Sequence, residues 1–493
     1  MSDPVPSFPD DRSCGRVRSV FRSSGYDEET FRSALGLSAH PDLNLVPLPV
    51  FREGLRPLSP ALTCLFELFI AEATLTEDDL ESALCQHLLA DLRTAGLLAE
   101  APDGGIRGTV HILPVGDILV ASDRRELHAR READMVPGPG GPTRTLLEFA
   151  FPGPMGNLLD LGCGPGVLGL LSGAGAARVV STDINPRALA FTRFNAALNG
   201  RENVECREGS LFEPVQGERF DRILCNPPFA ISPARTFLYR DGEEGIVRTI
   251  LREAPGYMAP GGALQMMTEW PEPAGGHWWQ WLEEWCRDMD ADVHVLRLYS
   301  HGNGDHTWRW LVQEHGEGPI PQEVFREWMA YLEDSGIGSV GGGHLVMRRA
   351  GSRDRLRTFR KAPARDQGPV GAALLRWVES RELASSVEDS ELMDLALAPA
   401  PGLEREDRKG TEGEGWQWMN SILRLPAGLR FAARVDPVAA VVVGLLDGRR
   451  TPREALARFC GSVGIEERLF EAGLPGALRS LLELGLLQGP RET

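Results

Sequence analysis

Residues 222–229 read RILCNPPF, an apolar strand-like run that ends in an asparagine, two prolines and an aromatic ring. Proline has no N–H for a sheet ladder, so the strand must stop there. Its end is a stiff turn carrying two hydrogen-bond acceptors, the Asn226 carboxamide oxygen and the Pro227 carbonyl, beside the ring of Phe229. A nitrogen attached to a planar π-system has a delocalised lone pair and is a poor nucleophile. Two acceptors taking its N–H bonds would align that lone pair with an electrophile and stabilise the positive charge that develops. Pro227 and Pro228 would hold the geometry without a flexible loop, and Phe229 would offer a face to a flat group. A plain strand-ending turn is the competing reading.

A second stretch, NLLDLGCGPGVLGLL at 157–171, runs from an apolar strand through Gly162, Gly164 and Gly166 into a helical pattern. Glycine is needed where backbone turns sharply and a ligand approaches a helix start. Asp183, nineteen positions beyond Gly164, ends VVSTD, where a carboxylate can accept two ribose hydroxyls. The dinucleotide form of this loop would need a glycine at 167, which is Val167. Asp160, just ahead of the loop, would repel a pyrophosphate and welcome the ammonium of an amino acid. An adenosine that carries an amino acid in place of phosphates is S-adenosylmethionine.

Taken together, 157–171 and Asp183 resemble motif I of the class I methyltransferases and their ribose-binding acid. RILCNPPF is similar to the (N/D)PP(F/Y/W) motif of the members that methylate exocyclic amines of adenine or guanine, or the side-chain amide of glutamine. The resemblance covers about 135–350. It implies a Rossmann-like domain with a seven-stranded, mostly parallel sheet, S-adenosylmethionine as cofactor and no metal. It implies catalytic roles for Asn226, Pro227, Pro228 and Phe229. Cofactor contacts are expected from Thr143, Asp160, Gly162, Gly164, Gly166, Asp183, Ile184, Ser210, Leu211 and Asn226. The family often has an acid after the third strand; Gly209-Ser210 departs from this, so backbone contacts around Ser210 and Leu211 are expected. FLYRDGEEGIVRTIL at 237–251 resembles the acidic turn of the glutamine-methylating branch.

The elements that must position these residues follow from periodicity. Residues 145 to about 350 alternate helix and strand, as in a parallel α/β sheet. Strands are expected at Asn157–Leu161, Arg178–Thr182, Val204–Arg207, Arg222–Cys225, Ala263–Thr268 and Asp292–Leu298, with GGGHLVMRRA at 341–350 as a closing edge strand. Residues 1–15 read as disordered. Residues 16–130 read as a helical, winged-helix-like domain with a β-hairpin turning at Asp103-Gly104-Gly105 and a helix capped by Thr76. The methyltransferase domain takes 131–350, a linker-rich segment 351–415, and a second winged-helix-like domain 416–493. LRTAGLL at 92–98 and LLELGLL at 481–487 each read as a last helix turning through glycine into a strand, or as a common helix end.

With 493 residues the chain should form several units. Its 42% apolar and 25% charged content is that of a soluble globular protein. Asp plus Glu outnumber Lys plus Arg by 70 to 52, a net charge of −18, which weighs against broad phosphate-backbone binding. The start MSDPVPSFPDDRSCGR has no secretory pattern and the longest apolar run, VAAVVVGLL, is too short to span a membrane. The eight cysteines form no CxxC pair, so reduced thiols in the cytoplasm and no membrane partner are expected. The two histidines of HGNGDH read as a polar loop, and HWWQWLEEW as core or interface packing. The function expected is an N-methyltransferase acting on a planar nitrogen, leaning to a protein or peptide glutamine. The alternatives are an RNA or DNA base methyltransferase and a noncatalytic scaffold.

Overall fold

The computed structural model describes residues 4–490 apart from 38–42, 44–45, 57, 126–133, 234–244, 316–318, 350–354, 364–368, 412–414 and 471. Two compact units emerge: residues 1–147, 154–289 and 297–349 form the first, and 148–153, 290–296 and 350–493 the second.

The first unit opens with α1 (Asp11–Ser23), α2 (Glu28–Leu35), α3 (Leu48–Leu55) and α4 (Pro60–Phe69). Then come β1 (Thr74–Leu75), α5 (Glu77–Ala83), α6 (Gln86–Thr94), β2 (Leu98–Glu100) and β3 (Ile106–Gly108), the strands pairing in the order β1-β3-β2. Thr76 caps α5 in a capping box with Asp79. The hairpin β4 (His111–Val115) and β5 (Ile118–Ser122) follows.

Next is α7 (Gly141–Phe149), then β6 (Met155–Leu161), α8 (Val167–Ser172), β7 (Ala176–Asp183), α9 (Pro186–Asn199), β8 (Val204–Glu208) and β9 (Phe220–Cys225). After these come α10 (Ile246–Glu253), β10 (Met258–Pro273), α11 (Gln280–Cys286), β11 (Asp292–Gly302), α12 (Asn303–His315), α13 (Gln322–Asp334) and β12 (Ile337–Arg348). Among the described residues the sheet has eight strands where seven were expected: seven lie in the order β11-β12-β10-β9-β6-β7-β8, and the eighth, Arg357–Lys361, lies beyond β11. The run from β10 to β8 is parallel, and β12 is antiparallel to β10. The chain moves outward from β6 to β8 and returns to β9 on the other side. That reversal opens a crevice at the carboxyl ends of β6 and β9. Leu158, Leu159, Val179, Val180, Ile223 and Leu224 are buried, as a sheet covered on both faces requires.

Three expectations are corrected here. The start of the chain is ordered within the described residues: Ser7 donates its N–H to the Ala95 carbonyl, Phe8 stacks on Phe194 at 4.9 Å, and α1 begins at Asp11. A few apolar side chains suffice to pin a segment whose composition is polar. Among the described residues no boundary falls near 130, because one hydrophobic core runs from Val17 and Phe21 through Leu92 and Val120 to Phe191 and Leu198. Arg18 adds polar anchoring by donating to the carbonyls of Ala197 and Leu198 at the end of α9, where orphan acceptors gather. Third, β12, with its glycine run, is interior to the sheet rather than its edge.

The second unit holds β13 (Arg357–Lys361), α14 (Gly371–Ser386), α15 (Asp389–Leu392), β14 (Ala398–Pro399), β15 (Glu404–Gly410), β16 (Gln417–Arg424) and β17 (Ala432–Val435). It ends with α16 (Pro437–Leu445), α17 (Pro452–Val463), α18 (Leu474–Glu483) and β18 (Leu487–Gln488). Residues 351–415 are thus not merely linker: α14 buries Leu374, Trp377 and Val378, and β15 pairs with β16. Gly96 after α6 and Gly485 after α18 both take left-handed backbone before a short strand, so the two similar stretches share one local geometry. Among the described residues no helix is long and apolar enough to cross a membrane.

Candidate active site

Three loops, following β6, β8 and β9, lie at the carboxyl edge of the sheet, beside Asp183 at the end of β7. The first is the glycine loop. Gly164 has φ of 53°, and its N–H donates to Asp183 Oδ2 at 2.9 Å. A Cβ on Gly166 would stand 2.7 Å from the Thr192 methyl, so α9 can lie close behind the loop only because no side chain intervenes. Two α9 side chains hold the loop by its carbonyls: Thr192 Oγ1 donates to Gly164 and Asn195 Nδ2 to Pro165, each at 2.9 Å. Asn195 also exchanges bonds with both backbone groups of Ala121, and Asn199 does the same with Leu119. These two amides stitch α9 to β5 as a neighbouring strand would. Sequence reading passed over them, although asparagines four apart on an otherwise apolar helix face are a signal.

Asp183 ends β7. Its other oxygen accepts the Asn185 N–H at 2.9 Å, so both oxygens are anchored by backbone. Burial raises its pKa against the opposing effect of these bonds. Ile184 beside it is 71% exposed, an apolar platform open at the mouth of the crevice. Asn185 caps α9, and Arg187 in its first turn pairs with the buried Asp123. Asp160, on β6, is fully buried; Oδ2 accepts the Gly169 N–H at 2.8 Å while Oδ1 has no partner among the described residues. Burial, with Asp183 adding repulsion, pushes its pKa up to about 7. The second loop follows β8. Gly209 donates to the Asp183 carbonyl, Ser210 donates its N–H to Glu213, and Leu211 holds a φ of 46°, uncommon outside glycine.

The third loop is the Asn226–Phe229 turn after β9. Asn226 Nδ2 donates to Thr143 Oγ1 at 2.9 Å, and Asn226 Oδ1 is buried with no partner among the described residues. Thr143, expected at the cofactor, therefore also touches the asparagine from α7. Phe229 is only 6% exposed and meets Trp310 edge to face at 6.0 Å, which differs from an open stacking face. His306, read from sequence as part of a polar loop, lies on α12, 1% exposed, with Nε2 3.0 Å from the Ile231 carbonyl. The acidic turn after the motif, at 237–244, lies outside the described residues. Cys163 and Cys225 are buried, and burial raises both thiols, so neither is an activated nucleophile. Among the described residues no group of three metal-ligating side chains forms.

The crevice fits an adenosine bearing an amino acid. Asp160, whose Oδ1 is unpaired among the described residues, directly precedes the glycine loop on β6, the space a Cβ would fill at Gly162 and Gly164 is open, and Asp183 and the exposed Ile184 follow at the end of β7. Gly162, Gly164, Gly166, Asp160 and Asp183 could hold such a ligand on one side, with Thr143 and Asn226 on the other.

Comparison with known proteins agrees with this geometry. Residues 141–275 match the methyltransferase small domain family model. The chain is 34% identical over 165 residues to ribosomal RNA small subunit methyltransferase C of Chromohalobacter salexigens, covering 32% of this chain and 45% of that protein. It is 33% identical over 165 residues to the release factor glutamine methyltransferase of Deinococcus radiodurans, covering 30% of this chain and 56% of that protein. A second ribosomal RNA small subunit methyltransferase C, from Alcanivorax borkumensis, is 32% identical over 143 residues, with 29% and 38% covered. The chain thus spans about half the length of these relatives or less. The resemblance to class I methyltransferases holds for this segment.

Proposed function

We propose that the protein is an S-adenosylmethionine-dependent N-methyltransferase whose acceptor is a planar nitrogen, with a protein or peptide glutamine as the favoured substrate. The observation that carries this reading is the Asn226 amide. Its nitrogen is taken by Thr143 while its oxygen is buried at the end of β9 and unpaired among the described residues. A buried acceptor without a donor is costly unless a ligand supplies one.

Bound S-adenosylmethionine would supply the electrophilic methyl group. Asp160 and the glycine loop would hold its amino-acid end, and Asp183 its ribose hydroxyls. Asn226 Oδ1 and the Pro227 carbonyl would accept the two N–H bonds of the acceptor, turning its lone pair out of conjugation. These acceptors are fixed before reaction, so they stabilise the developing charge without reorganising. Pro228 adds stiffness, and the Phe229 edge bounds the acceptor. A protein acceptor is supported by the net charge of −18, which opposes a polyanionic substrate. We also propose that the helical, winged-helix-like regions at either end select the target.

The test is transfer of labelled methyl from S-adenosylmethionine into a cell lysate, divided between RNase and protease treatment. Label that survives RNase and is lost to protease supports a protein acceptor. Label lost to RNase would replace that acceptor with a nucleobase, and no label in any fraction would leave the chain a noncatalytic scaffold.

A further inference from the structure

Glu269 lies on β10, three residues past Met266, whose partner Cys225 closes the parallel pairing of β9 with β10. Pro228 is likewise three residues past Cys225, so the acid stands beside the start of the acceptor turn. Its side chain is 5% exposed. Oε1 accepts from the Tyr299 hydroxyl at 3.2 Å and Oε2 from the Trp310 indole N–H at 3.1 Å. His306 Nδ1 is 3.7 Å from the same Oε2. Burial pushes Glu269 up to about 7 and His306 down to about 4, so the imidazole is neutral near pH 7. The Ile231 carbonyl can only accept, which assigns the imidazole proton to Nε2 and leaves the Nδ1 lone pair toward the acid.

The glycine run of β12 makes room for this cluster. Gly342 is the cross-strand partner of Glu269, and a Cβ there would stand 2.2 Å from the Tyr299 ring. A Cβ on Gly341 would stand 2.3 Å from Glu272 Oε1. Glycine weakens an interior strand, so its presence here marks space that side chains must occupy. From the other side, His306 and Trp310 sit one turn apart on α12, so both face one way. One reaches the Ile231 carbonyl and the other the Phe229 ring. Ala230, Leu311 and Trp328 close a small core behind them, joining α12 and α13 to the same turn.

We infer that Glu269, His306 and Trp310 are positioning residues for the acceptor turn, and that the α12–α13 hairpin inserted between β11 and β12 is part of the acceptor site. The acid orients the Trp310 ring, which sets the plane of Phe229, while His306 ties down Ile231. None of the three touches the reacting nitrogen; they fix the wall against which it lies. The inference rests on the reading of the chain as a planar-nitrogen methyltransferase.

Its test uses the full chain with Trp310→Phe, His306→Phe and His306→Gln, the last retaining a donor for Ile231. Hydrogen–deuterium exchange is followed in peptides covering 226–233 and 157–172. Affinity for S-adenosylhomocysteine is measured by calorimetry, and methyl transfer into lysate protein and RNA as initial rates. The expected result for Trp310→Phe and His306→Phe is faster exchange at 226–233 by about tenfold or more, with 157–172 unchanged. Transfer efficiency should fall about tenfold or more while S-adenosylhomocysteine affinity stays within about twofold, and His306→Gln should recover most of the loss. Unchanged exchange at 226–233, or a uniform rise in both peptides, overturns the inference. Absence of transfer by the unaltered protein would defeat the functional reading alone, since the exchange pattern decides the positioning role independently.

Discussion

The Asn226 amide donates to the Thr143 hydroxyl at 2.9 Å across a gap of 83 residues, and that bond fixes which way round the amide sits. Without a partner for Nδ2 the amide can flip and present N–H groups to a substrate that also offers N–H groups. Thr143→Val should therefore lower kcat by about tenfold, equivalent to about 1.4 kcal/mol, while Thr143→Ser should restore most of it. Steady-state kinetics with calorimetry separates the roles: a loss confined to cofactor affinity would assign Thr143 to the cofactor alone.

Removing Asn226 and removing Asp183 should produce different failures. Asn226→Ala should spare cofactor affinity and cut turnover by more than about tenfold, because the lost contact strengthens only as charge develops. Asp183→Ala should instead weaken cofactor binding, and it should loosen the glycine loop whose Gly164 N–H it holds. Turnover unchanged in Asn226→Ala would remove the proposed role of the turn.

Asp160 gives a pH signature. With its pKa near 7 in the free protein, the buried carboxyl is partly protonated at neutrality. A ligand ammonium favours the charged form and lowers that pKa, so cofactor binding should release a proton and tighten from about pH 6 to about pH 8. Calorimetry in buffers of different ionisation enthalpy measures the release. Asp160→Asn should bind more weakly and lose the dependence; a flat profile in the unaltered protein would refute it.

Asn195 carries a stability prediction. Its side chain satisfies the N–H and carbonyl of Ala121 and the carbonyl of Pro165. Asn195→Ala strands these groups in the interior and should cost at least about 2 kcal/mol in urea unfolding. Because Pro165 belongs to the glycine loop, cofactor affinity should fall as well. A cost below about 0.5 kcal/mol would mean that the amide bonds are replaced by water.

The glycine loop and the Asn226 turn were legible because each pairs an unusual backbone demand with a chemical group: Gly164 with Asp183, Pro227 with Asn226. The strands from β6 to β10 were legible from apolar runs and their turn residues. What escaped was context. Gly302, Asn303, Gly304 and Asp305 have the composition of a loop, yet Asn303 and Asp305 begin α12, and His306 inside that helix reaches the Ile231 carbonyl just past the Asn226–Phe229 turn. Small polar residues serve loops and helix starts alike, and only packing decides between them. The run GGGHLVM was read as a closing edge strand; the side chains of Tyr299 and Glu272 that explain its glycines come from distant parts of the sequence. Arg357–Lys361 and Gly371–Ser386 were hidden by basic and Pro/Gly-rich neighbours that resemble a linker.

α9 faces two ways, toward the glycine loop through Thr192 and Asn195 and toward α1 and β5 through Phe194, Asn199 and its final carbonyls. A helix with that double allegiance cannot be inherited as part of one cassette only. Recombination that brought a different N-terminal region to residues 141–275 would have to bring a compatible α9 with it, or leave Phe191 and Phe194 facing water. The N-terminal helices can therefore change by drift in their exposed surfaces far more readily than by wholesale exchange.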